Sequence, residues 1–269
     1  MIIQTFFVDT FSARIFKGNP AAVCLLQEPL STIHLQSIAR EFNLPVTVFV
    51  EMNASNNGVY PIRYFTVKEE IAACGHATLA AAFILQEHGP GGLIAFKTIE
   101  ERRVAVRLQA GMIRMEYDVF DMQDYRLPKG ILESIGLSDY LTTGFCAELE
   151  TVFIECASAG LLRDLTPDFK KMMAGSPSIK EVVVTSKSDQ DSYDYLLRSF
   201  CPWIGIDEDP VTGSVHSVLA PYWSARLGKK NLKACQVSER GGEVWVKVTD
   251  KKVEIGGQAI LLLKGEFFL

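Results

Sequence analysis

The alternation of hydrophobic and polar positions along the chain predicts many strands and few helices. Apolar stripes with helical spacing are rare: residues 31–42 carry one that ends at Asn43, and residues 127–137 and 167–174 are typical of short surface helices. Short alternating or β-branched runs are much more frequent. The predicted strands are 2–8, 21–26, 46–50, 60–66, 93–97, 103–108, 112–117, 151–156, 181–185, 193–200, 243–248, 252–256 and 259–263. This balance predicts an α+β (mixed α/β) fold.

Two further helices are predicted to be enclosed by other structure. Residues 76–87 and 214–226 are apolar on nearly all sides, which is typical of a helix surrounded by protein. Pro221 lies inside the second segment, and its ring is expected to kink or break a helix there. Many strands with one enclosed helix in each half predict a curved β-sheet wrapped around a central helix, formed twice.

A repeated pattern supports this duplication. The sequence Ile-Arg-Tyr-Phe around Arg63 is followed by a loop with Gly75, and Leu-Arg-Ser-Phe around Arg198 is followed by a loop with Gly213. The arginines are 135 positions apart and the glycines 138, so the copies differ by about three loop residues. The chain is therefore predicted to consist of two similar α/β units.

The predicted boundary between the halves lies in the polar, turn-forming stretch after Asp118. The first half is residues 1–118 and the second is residues 119–259. The last predicted strand, extended to about residues 260–269, is a candidate to complete the first half.

Composition excludes several functional classes. The 269 residues carry a net charge of −5 without a basic stripe, which argues against nucleic-acid binding. No apolar run approaches the ~20 residues of a membrane span, and the N-terminus is typical of a first strand rather than a signal peptide. Four histidines and six cysteines show no metal-ligand spacing. A cytoplasmic protein without a metal site or membrane partner is expected.

Each repeated loop places a glycine at a predicted helix start. Unpaired backbone N–H groups and the helix dipole favour a carboxylate or phosphate there, and glycine allows close approach. Two such N-termini, at Gly75 and at Gly213–Ser214, predict a paired anion site at the seam between the halves, with Ser214 as a donor to a substrate carboxylate. The alternative is that both glycines only serve tight turns.

The residues beside these glycines are the candidates for chemistry. His76, in the first turn of an apolar helix, is the strongest; the alternative is a core histidine bonded to a backbone carbonyl. Cys74 is equally consistent with a proton-shuttling thiol at a helix N-terminus and with a small filler of the loop. Its counterpart, Thr212, is not a comparable acid or base. Asp209 is expected to orient a histidine or to bind a substrate amine or hydroxyl.

His216 lies two residues after Ser214, so its side chain should point about 200° away around the helix. It is expected to be structural.

Four segments resemble the PhzF-like (phenazine biosynthesis-like) family in order along nearly the whole chain. They are Gly18-Asn19-Pro20-Ala21-Ala22-Val23, Ala39-Arg40-Glu41-Phe42-Asn43-Leu44, Cys74-Gly75-His76-Ala77-Thr78 and Glu208-Asp209-Pro210-Val211-Thr212-Gly213-Ser214, with Arg240-Gly241-Gly242 near the end. The resemblance implies the diaminopimelate epimerase-like fold, with the active site between two similar domains. It also implies a homodimeric isomerase that moves a proton without metal or organic cofactor, as the type member does on a dihydro-hydroxyanthranilate ring.

The resemblance assigns roles to residues of the repeated loops. His76 and Asp209 fall on family active-site positions, while Gly75, Gly213 and Ser214 fall on the cradle for the substrate carboxylate. Asn19 and Thr212, which lie within the matching segments, are further substrate-binding candidates.

One position departs from the family pattern. The family's acid/base glutamate lies in a segment that reads roughly Asn-Leu-Ser-Glu-Thr-x-Phe, and Val46 stands at the place of that glutamate in this chain. Three functions remain open: an isomerase in which His76, Cys74 or Asp209 is the base; an amino-acid epimerase or racemase that uses Cys74; and a catalytically silent relative that binds a small carboxylate or a protein partner.

Overall fold

The structure is a computed structural model that describes residues 1–54, 58–86, 92–128, 130–175 and 179–269. The chain divides into two compact units. The first comprises Met1–Glu116 together with Gly256–Leu269, and the second comprises Tyr117–Ile255. Within the described ranges, no helix is both long and apolar enough to cross a membrane.

In its described residues, the first unit is a mixed sheet with two α-helices. Its elements are β1 (Ile2–Thr10), β2 (Asn19–Leu26), α1 (Thr32–Phe42), β3 (Val46–Glu51), β4 (Val59–Phe65), β5 (Glu70–Ile71), α2 (Gly75–Ile84), β6 (Leu93–Lys97), β7 (Arg103–Gln109) and β8 (Met112–Asp118, which ends just past the unit boundary).

The second unit has more helices, most of them short. Its elements are β9 (Gln123–Asp124), α3 (Ile131–Ser134), β10 (Thr142–Cys146), β11 (Thr151–Glu155), α4 (Ala159–Arg163), α5 (Phe169–Gly175), β12 (Glu181–Lys187), β13 (Tyr195–Cys201), a 3₁₀ helix (Pro202–Ile204), β14 (Ile206–Glu208), α6 (His216–Leu227), β15 (Asn231–Gln236), β16 (Gly242–Val248) and β17 (Lys252–Gly257). The chain then returns to the first unit as β18 (Ala259–Phe268), which pairs antiparallel with β1.

The strand pairing of the two units is the same. In the first unit, β1 and β2 are antiparallel, β2 and β3 parallel, β3 and β4 antiparallel, and β4 pairs antiparallel with β5 and parallel with β6. In the second unit, strands β10 to β15 repeat this sequence of antiparallel and parallel pairings in the same order. The predicted mixed α/β class is confirmed, and the repeat detected in the sequence is a repeat of topology.

One helix in each unit is enclosed, as the sequence predicts. Helix α2 packs against β1, β2, β3, β7 and β18, and its residues 77–82 are all buried. Helix α6 packs against β15 and β16, and its Trp223 side chain reaches β12 to donate a hydrogen bond to Thr185. Burial on all sides explains why α2 and the first half of α6, residues 216–220, have no polar face exposed to solvent.

Pro221 lies inside α6 without ending the helix. Proline has no N–H, so the carbonyl of Ser217, four residues earlier, loses its usual helical donor. The backbone N–H of Phe120 donates to this carbonyl at 3.1 Å instead. The expected break is absent because a segment outside the helix satisfies the freed acceptor.

Several element boundaries differ from the predictions. The helix predicted at 214–226 begins at His216, the one predicted at 127–137 is reduced to α3, and the one predicted at 76–87 ends at Ile84. Residues 87 and 129 of these predictions lie outside the described ranges. Strands β10 and β15 were not predicted, because their apolar positions include small or polar residues that weaken the alternation.

Candidate active site

The repeated Arg pattern forms the same ion pair in both units. In the first unit, Arg63 in β4 donates two hydrogen bonds to the Glu70 carboxylate in β5, each of 2.7 Å. In the second unit, Arg198 in β13 donates two to Glu208 in β14, of 2.8 and 2.9 Å. Two parallel N–H···O bonds fix both the distance and the orientation of the partners. Each pair thereby anchors the short strand that leads into a candidate loop.

The surroundings of the two pairs match as well. Glu70 lies opposite Phe65 across the strand pair, and Glu208 lies opposite Phe200. The guanidinium carbon of each arginine lies over the corresponding ring, 5.2 Å from the Phe65 centroid and 5.0 Å from the Phe200 centroid. The extra residues of the second copy lie between Phe200 and Glu208, where the chain forms its 3₁₀ helix.

The first loop brings Cys74 and His76 together at the start of α2. The Sγ of Cys74 lies 3.3 Å from Nδ1 and 3.9 Å from Nε2 of the His76 ring. Thr78 holds the turn, because its Oγ1 donates to the Cys74 carbonyl at 2.7 Å. With its single hydrogen used, Thr78 Oγ1 accepts from the Tyr64 hydroxyl at 2.6 Å. Gly75 is the first residue of α2, as predicted from its place in the loop.

The His76 ring is held neutral. Desolvation by the surrounding protein lowers the pKa of His76 to about 4. At neutral pH the ring therefore has one nitrogen free to accept a proton. Within the described residues, its hydrogen-bond partner is the Cys74 thiol rather than a backbone carbonyl. A neutral imidazole beside a thiol at a helix N-terminus can take part in proton transfer.

The second loop brings Asp209 and Thr212 together. The Thr212 hydroxyl donates to Oδ2 of Asp209 at 2.5 Å. Gly213 and Ser214 form a turn ahead of α6, and their carbonyls accept from the backbone N–H groups of His216 and Ser217 at 3.2 and 3.0 Å. The helix therefore starts two residues later than predicted, and Gly213 and Ser214 precede its first turn.

Gln236 in β15 supports this loop and was missed by the sequence reasoning. Its Nε2 donates to the Asp209 carbonyl at 2.7 Å and to Thr212 Oγ1 at 3.3 Å, and its Oε1 accepts from the Thr212 N–H at 2.8 Å. The residue is fully buried. The signal that could have found it is the alternation of Leu232, Ala234 and Gln236, which places a glutamine at a buried strand position.

Asn19 begins β2 and is fully buried, and its carbonyl accepts from the Thr10 hydroxyl at 3.0 Å. The preceding Gly18 has φ +74°, and a Cβ there would lie 2.0 Å from the Thr10 carbonyl oxygen. Only glycine fits that position, so the chain direction at Asn19 is set by the backbone before it.

His216 is buried inside the second unit, in keeping with the structural role expected for it. Its Nδ1 forms a 2.6 Å hydrogen bond with the Tyr195 hydroxyl. Desolvation lowers the pKa of His216 to about 3, so its ring is also neutral at pH 7.

Val46 is the first residue of β3 and lies beside Ala21 of β2. Its side chain is 3% exposed and carries no group that can exchange a proton.

A cleft of about 320 Å³ lies elsewhere in the second unit, at the far end of α6. It is lined by Leu141, Glu155, Cys156, Ala157, Lys187, Trp223, Arg226 and Leu227. None of the predicted site residues lines it, so it is separate from the Asp209–Ser214 loop.

Comparison with known proteins identifies the family of this chain. A family model described as phenazine biosynthesis-like protein matches residues 8–265. The chain belongs to the phenazine biosynthesis-like, or PhzF, family. An uncharacterized isomerase of Pseudomonas aeruginosa is 35% identical over 271 residues, covering 100% of both chains.

Solved structures support the same assignment. A PhzF-family protein of Enterococcus faecalis is 33% identical, covers 100% of both chains and superposes with a TM-score of 0.92. A predicted epimerase from Pseudomonas aeruginosa, 20% identical over 99% of each chain, has a TM-score of 0.73 and shares the fold. The resemblance to the PhzF family and the epimerase-like fold are therefore confirmed. The roles of His76, Cys74, Asp209, Asn19, Gly75, Thr212, Gly213 and Ser214 remain predictions for this PhzF-family member.

Proposed function

We propose that this PhzF-family protein is an isomerase that moves a proton on a small carboxylate-bearing metabolite, without a cofactor. In this proposal both repeated loops supply groups that bind the substrate. The observation that carries the proposal is the neutral His76 ring, 3.3 Å from the Cys74 thiol at the start of the enclosed helix α2.

The proposed chemistry follows from the state of His76. Its neutral ring accepts a proton from a carbon next to a carbonyl or unsaturated centre, and the imidazolium returns a proton at another carbon. Because burial makes that imidazolium more acidic than an exposed one, return of the proton is favoured. A bound carboxylate would raise the pKa of His76 by its charge and so assist the first step.

The remaining candidate residues have binding roles in this proposal. Backbone N–H groups at Gly75 and at Gly213–Ser214 receive the substrate carboxylate. Asp209 and Thr212, already joined by a hydrogen bond, orient an amine or hydroxyl of the substrate. Asn19 contributes to the same substrate contacts.

The test is solvent-deuterium uptake, followed by NMR, into dihydro-hydroxyanthranilate and a panel of small amino acids incubated with the protein in D₂O. Uptake into a compound by the wild-type protein is expected, and His76→Ala should lower it by about 10²- to 10⁴-fold. His34→Ala, which changes an exposed histidine of α1 in the same unit, is the matched control and should keep the wild-type rate. Equal rates for both variants would contradict the assignment of His76.

A second candidate function is favoured by Val46. Its isopropyl group is buried at the start of β3 and cannot transfer protons. A protein that only binds a small carboxylate or a protein partner would show no uptake into any panel compound from a folded sample. An epimerase that uses Cys74 is a weaker alternative, because Thr212 occupies the equivalent place in the second unit. Such an epimerase would incorporate deuterium at the α-carbon of one amino acid.

A further inference from the structure

At one position of the repeat, the second unit has a carboxyl side chain where the first unit has a valine. Tyr64 and Ser199 directly follow the paired arginines, and they lie opposite Val48 and Val183 respectively. Side chains alternate between the faces of a strand, so the residues two positions before these valines share their face. Those residues are Val46 and Glu181, each at the first position of its strand.

The neighbouring parallel strand gives the same correspondence. Val46 lies beside Ala21 of β2, and Glu181 lies beside Thr151 of β11. The two positions are 135 residues apart, which is also the separation of Arg63 and Arg198. Glu181 is therefore the structural counterpart of Val46 in the second unit.

The space for this carboxyl group comes from a second difference between the units. In the first unit this space is occupied by the aromatic ring of Tyr64, whose hydroxyl lies 2.6 Å from Thr78 Oγ1 in helix α2. Its counterpart Ser199 is small, and its hydroxyl donates to Oε1 of Glu181. The Thr151 hydroxyl donates to Oε2 at 3.0 Å. Where the first unit has valine and tyrosine, the second has glutamate and serine.

Glu181 lies close to the second candidate loop. The backbone N–H of Asp209 donates to the Ser199 carbonyl at 3.0 Å, so the loop crosses β13 at the residue that binds Glu181. Burial raises the pKa of the Cys201 thiol, and the charges of both Asp209 and Glu181 raise it further. The two carboxyl groups are thus neighbours of one thiol at this end of the sheet.

We propose that Glu181 is a proton-transfer group of this protein, acting at the Asp209–Ser214 loop on the substrate. The proposal rests on the proposed isomerase function. The Glu181 carboxylic acid gives its O–H proton to one carbon of the substrate and becomes a carboxylate. In this step Glu181 takes the place of the imidazolium as the proton donor. The base removes a proton from another carbon and passes it to water, and water returns a proton to Glu181, so atoms and charge balance without an oxidant or reductant.

The local chemistry suits a carboxyl group that holds a proton. Burial raises the pKa of Glu181 above its usual range, while the hydrogen bonds from Ser199 and Thr151 lower it in part. Among the described residues, the ionisable group on which the charge of Glu181 acts is the Cys201 thiol, which is not a cation. The residue as a whole is partly rather than fully buried.

The test compares Glu181→Gln with Glu155→Gln in the deuterium-uptake assay. Glutamine keeps the size of Glu181, and both hydroxyl neighbours can bond to its amide, so folding should be retained. Glu155 is the matched control: it is a buried carboxyl group in β11 that pairs with Arg226 at 3.0 Å. Glu181→Gln should lower uptake by about 10²-fold or more with little change in the melting temperature. Glu155→Gln should lower the melting temperature and keep the uptake rate.

Glu181→Asp is the conservative variant, and it should recover part of the activity that Gln loses. If His76→Ala abolishes uptake while Glu181→Gln keeps it, the role of Glu181 is wrong and the isomerase function stands. If wild-type protein exchanges no panel compound, the isomerase function and the role of Glu181 that rests on it both fail. A titration tests separately whether Glu181 holds a proton.

That titration uses wild-type protein with ¹³C-labelled glutamate carboxyl groups, and the signal missing from Glu181→Asp identifies Glu181. A midpoint clearly above the ordinary value of about 4.3 shows that Glu181 holds the proton that the step requires, and it supports the proposal together with exchange by the wild-type protein. A midpoint in the ordinary range overturns the proposal.

Discussion

The two candidate loops follow the same ion pair and carry different side chains. Arg63–Glu70 and Arg198–Glu208 agree in hydrogen bonding, in strand register and in the ring beneath the guanidinium. Four residues beyond each glutamate the agreement ends, since Cys74 and His76 stand where the second unit has Thr212 and Ser214.

The difference shows where the duplicated fold is constrained. Loss of one partner of a largely buried ion pair leaves a charge without compensation, so such a pair tolerates little change. The side chains after it face no such requirement. The ion pair that positions each loop is therefore the same in both units, while the side chains of the two loops differ.

The largest expected effect comes from breaking the shared pair in the second unit. The Arg198 and Glu208 side chains are 11% and 20% exposed. Arg198→Met should reduce the free energy of unfolding by about 3 kcal/mol, because the Glu208 carboxylate stays behind without its partner. Arg63→Met should do the same in the first unit to a smaller extent, since the Arg63 side chain is 20% exposed and that of Arg198 only 11%. Urea unfolding followed by circular dichroism measures both.

The control for this comparison is Arg163→Met. Arg163 forms a two-bond ion pair with Asp189, but that pair lies on the surface of the second unit. Solvent screens it, so a much smaller loss is expected. If Arg198→Met were no more harmful than Arg163→Met, the buried pair would not be what holds the loop.

The two histidines with lowered pKa values provide the next test, through the dependence of stability on pH. The pKa of His216 is about 3 in the folded protein and about 6.5 when unfolded. Between these values the unfolded chain binds a proton that the folded chain does not, so stability is full above about pH 6.5 and falls as the pH is lowered. From pH 7 to pH 5, His216 should account for a loss of about 2 kcal/mol.

Urea unfolding of wild-type protein and of His216→Gln at pH 7 and pH 5 measures this contribution. The variant should lose less stability over that interval, by the amount assigned to His216. His76→Asn should act in the same direction by a similar amount over this interval, because the folded-state pKa of His76, about 4, also lies below pH 5. Parallel pH curves for wild type and His216→Gln would show that His216 is not held neutral.

The smallest effect is expected at Pro221, which distinguishes α6 from α2. Replacing a proline inside a helix by alanine commonly restores a hydrogen bond and about 3 kcal/mol. Here the Ser217 carbonyl already accepts from Phe120, and alanine also makes the unfolded chain more flexible. Pro221→Ala should change the free energy of unfolding by less than about 1 kcal/mol. A stabilisation of more than ~2 kcal/mol in urea unfolding would mean that the proline strains the helix.

The features that the sequence predicted correctly are those that depend on the spacing of residues along the chain. Arg63 and Arg198, each followed by an aromatic residue two positions later, were enough to detect the duplication. Glu70 was overlooked as the partner because the 3₁₀ helix lengthens the second copy between Phe200 and Glu208. The offset between equivalent residues is 135 positions in these strands and 138 in the loops.

What the sequence left open depends on which strands lie side by side. Gln236 supports the Asp209 loop from a strand that pairs with β13, and no local pattern indicates that pairing. Glu181 could have been found by applying the 135-residue offset to Val46. Only the strand register shows that Glu181 lies near Ser199, whereas Val46 lies near Tyr64.

The pairing of β1 with β18 has a consequence for the order in which the protein folds during synthesis. Tyr117–Ile255 is a continuous segment whose strands are all present once it has left the ribosome. The sheet of the first unit needs residues from both Met1–Glu116 and Gly256–Leu269, so its β1 edge stays open until Ala259–Phe268 has been translated. The half made first is therefore the half finished last, and its exposed strand edge is the part of the nascent chain most in need of protection from aggregation.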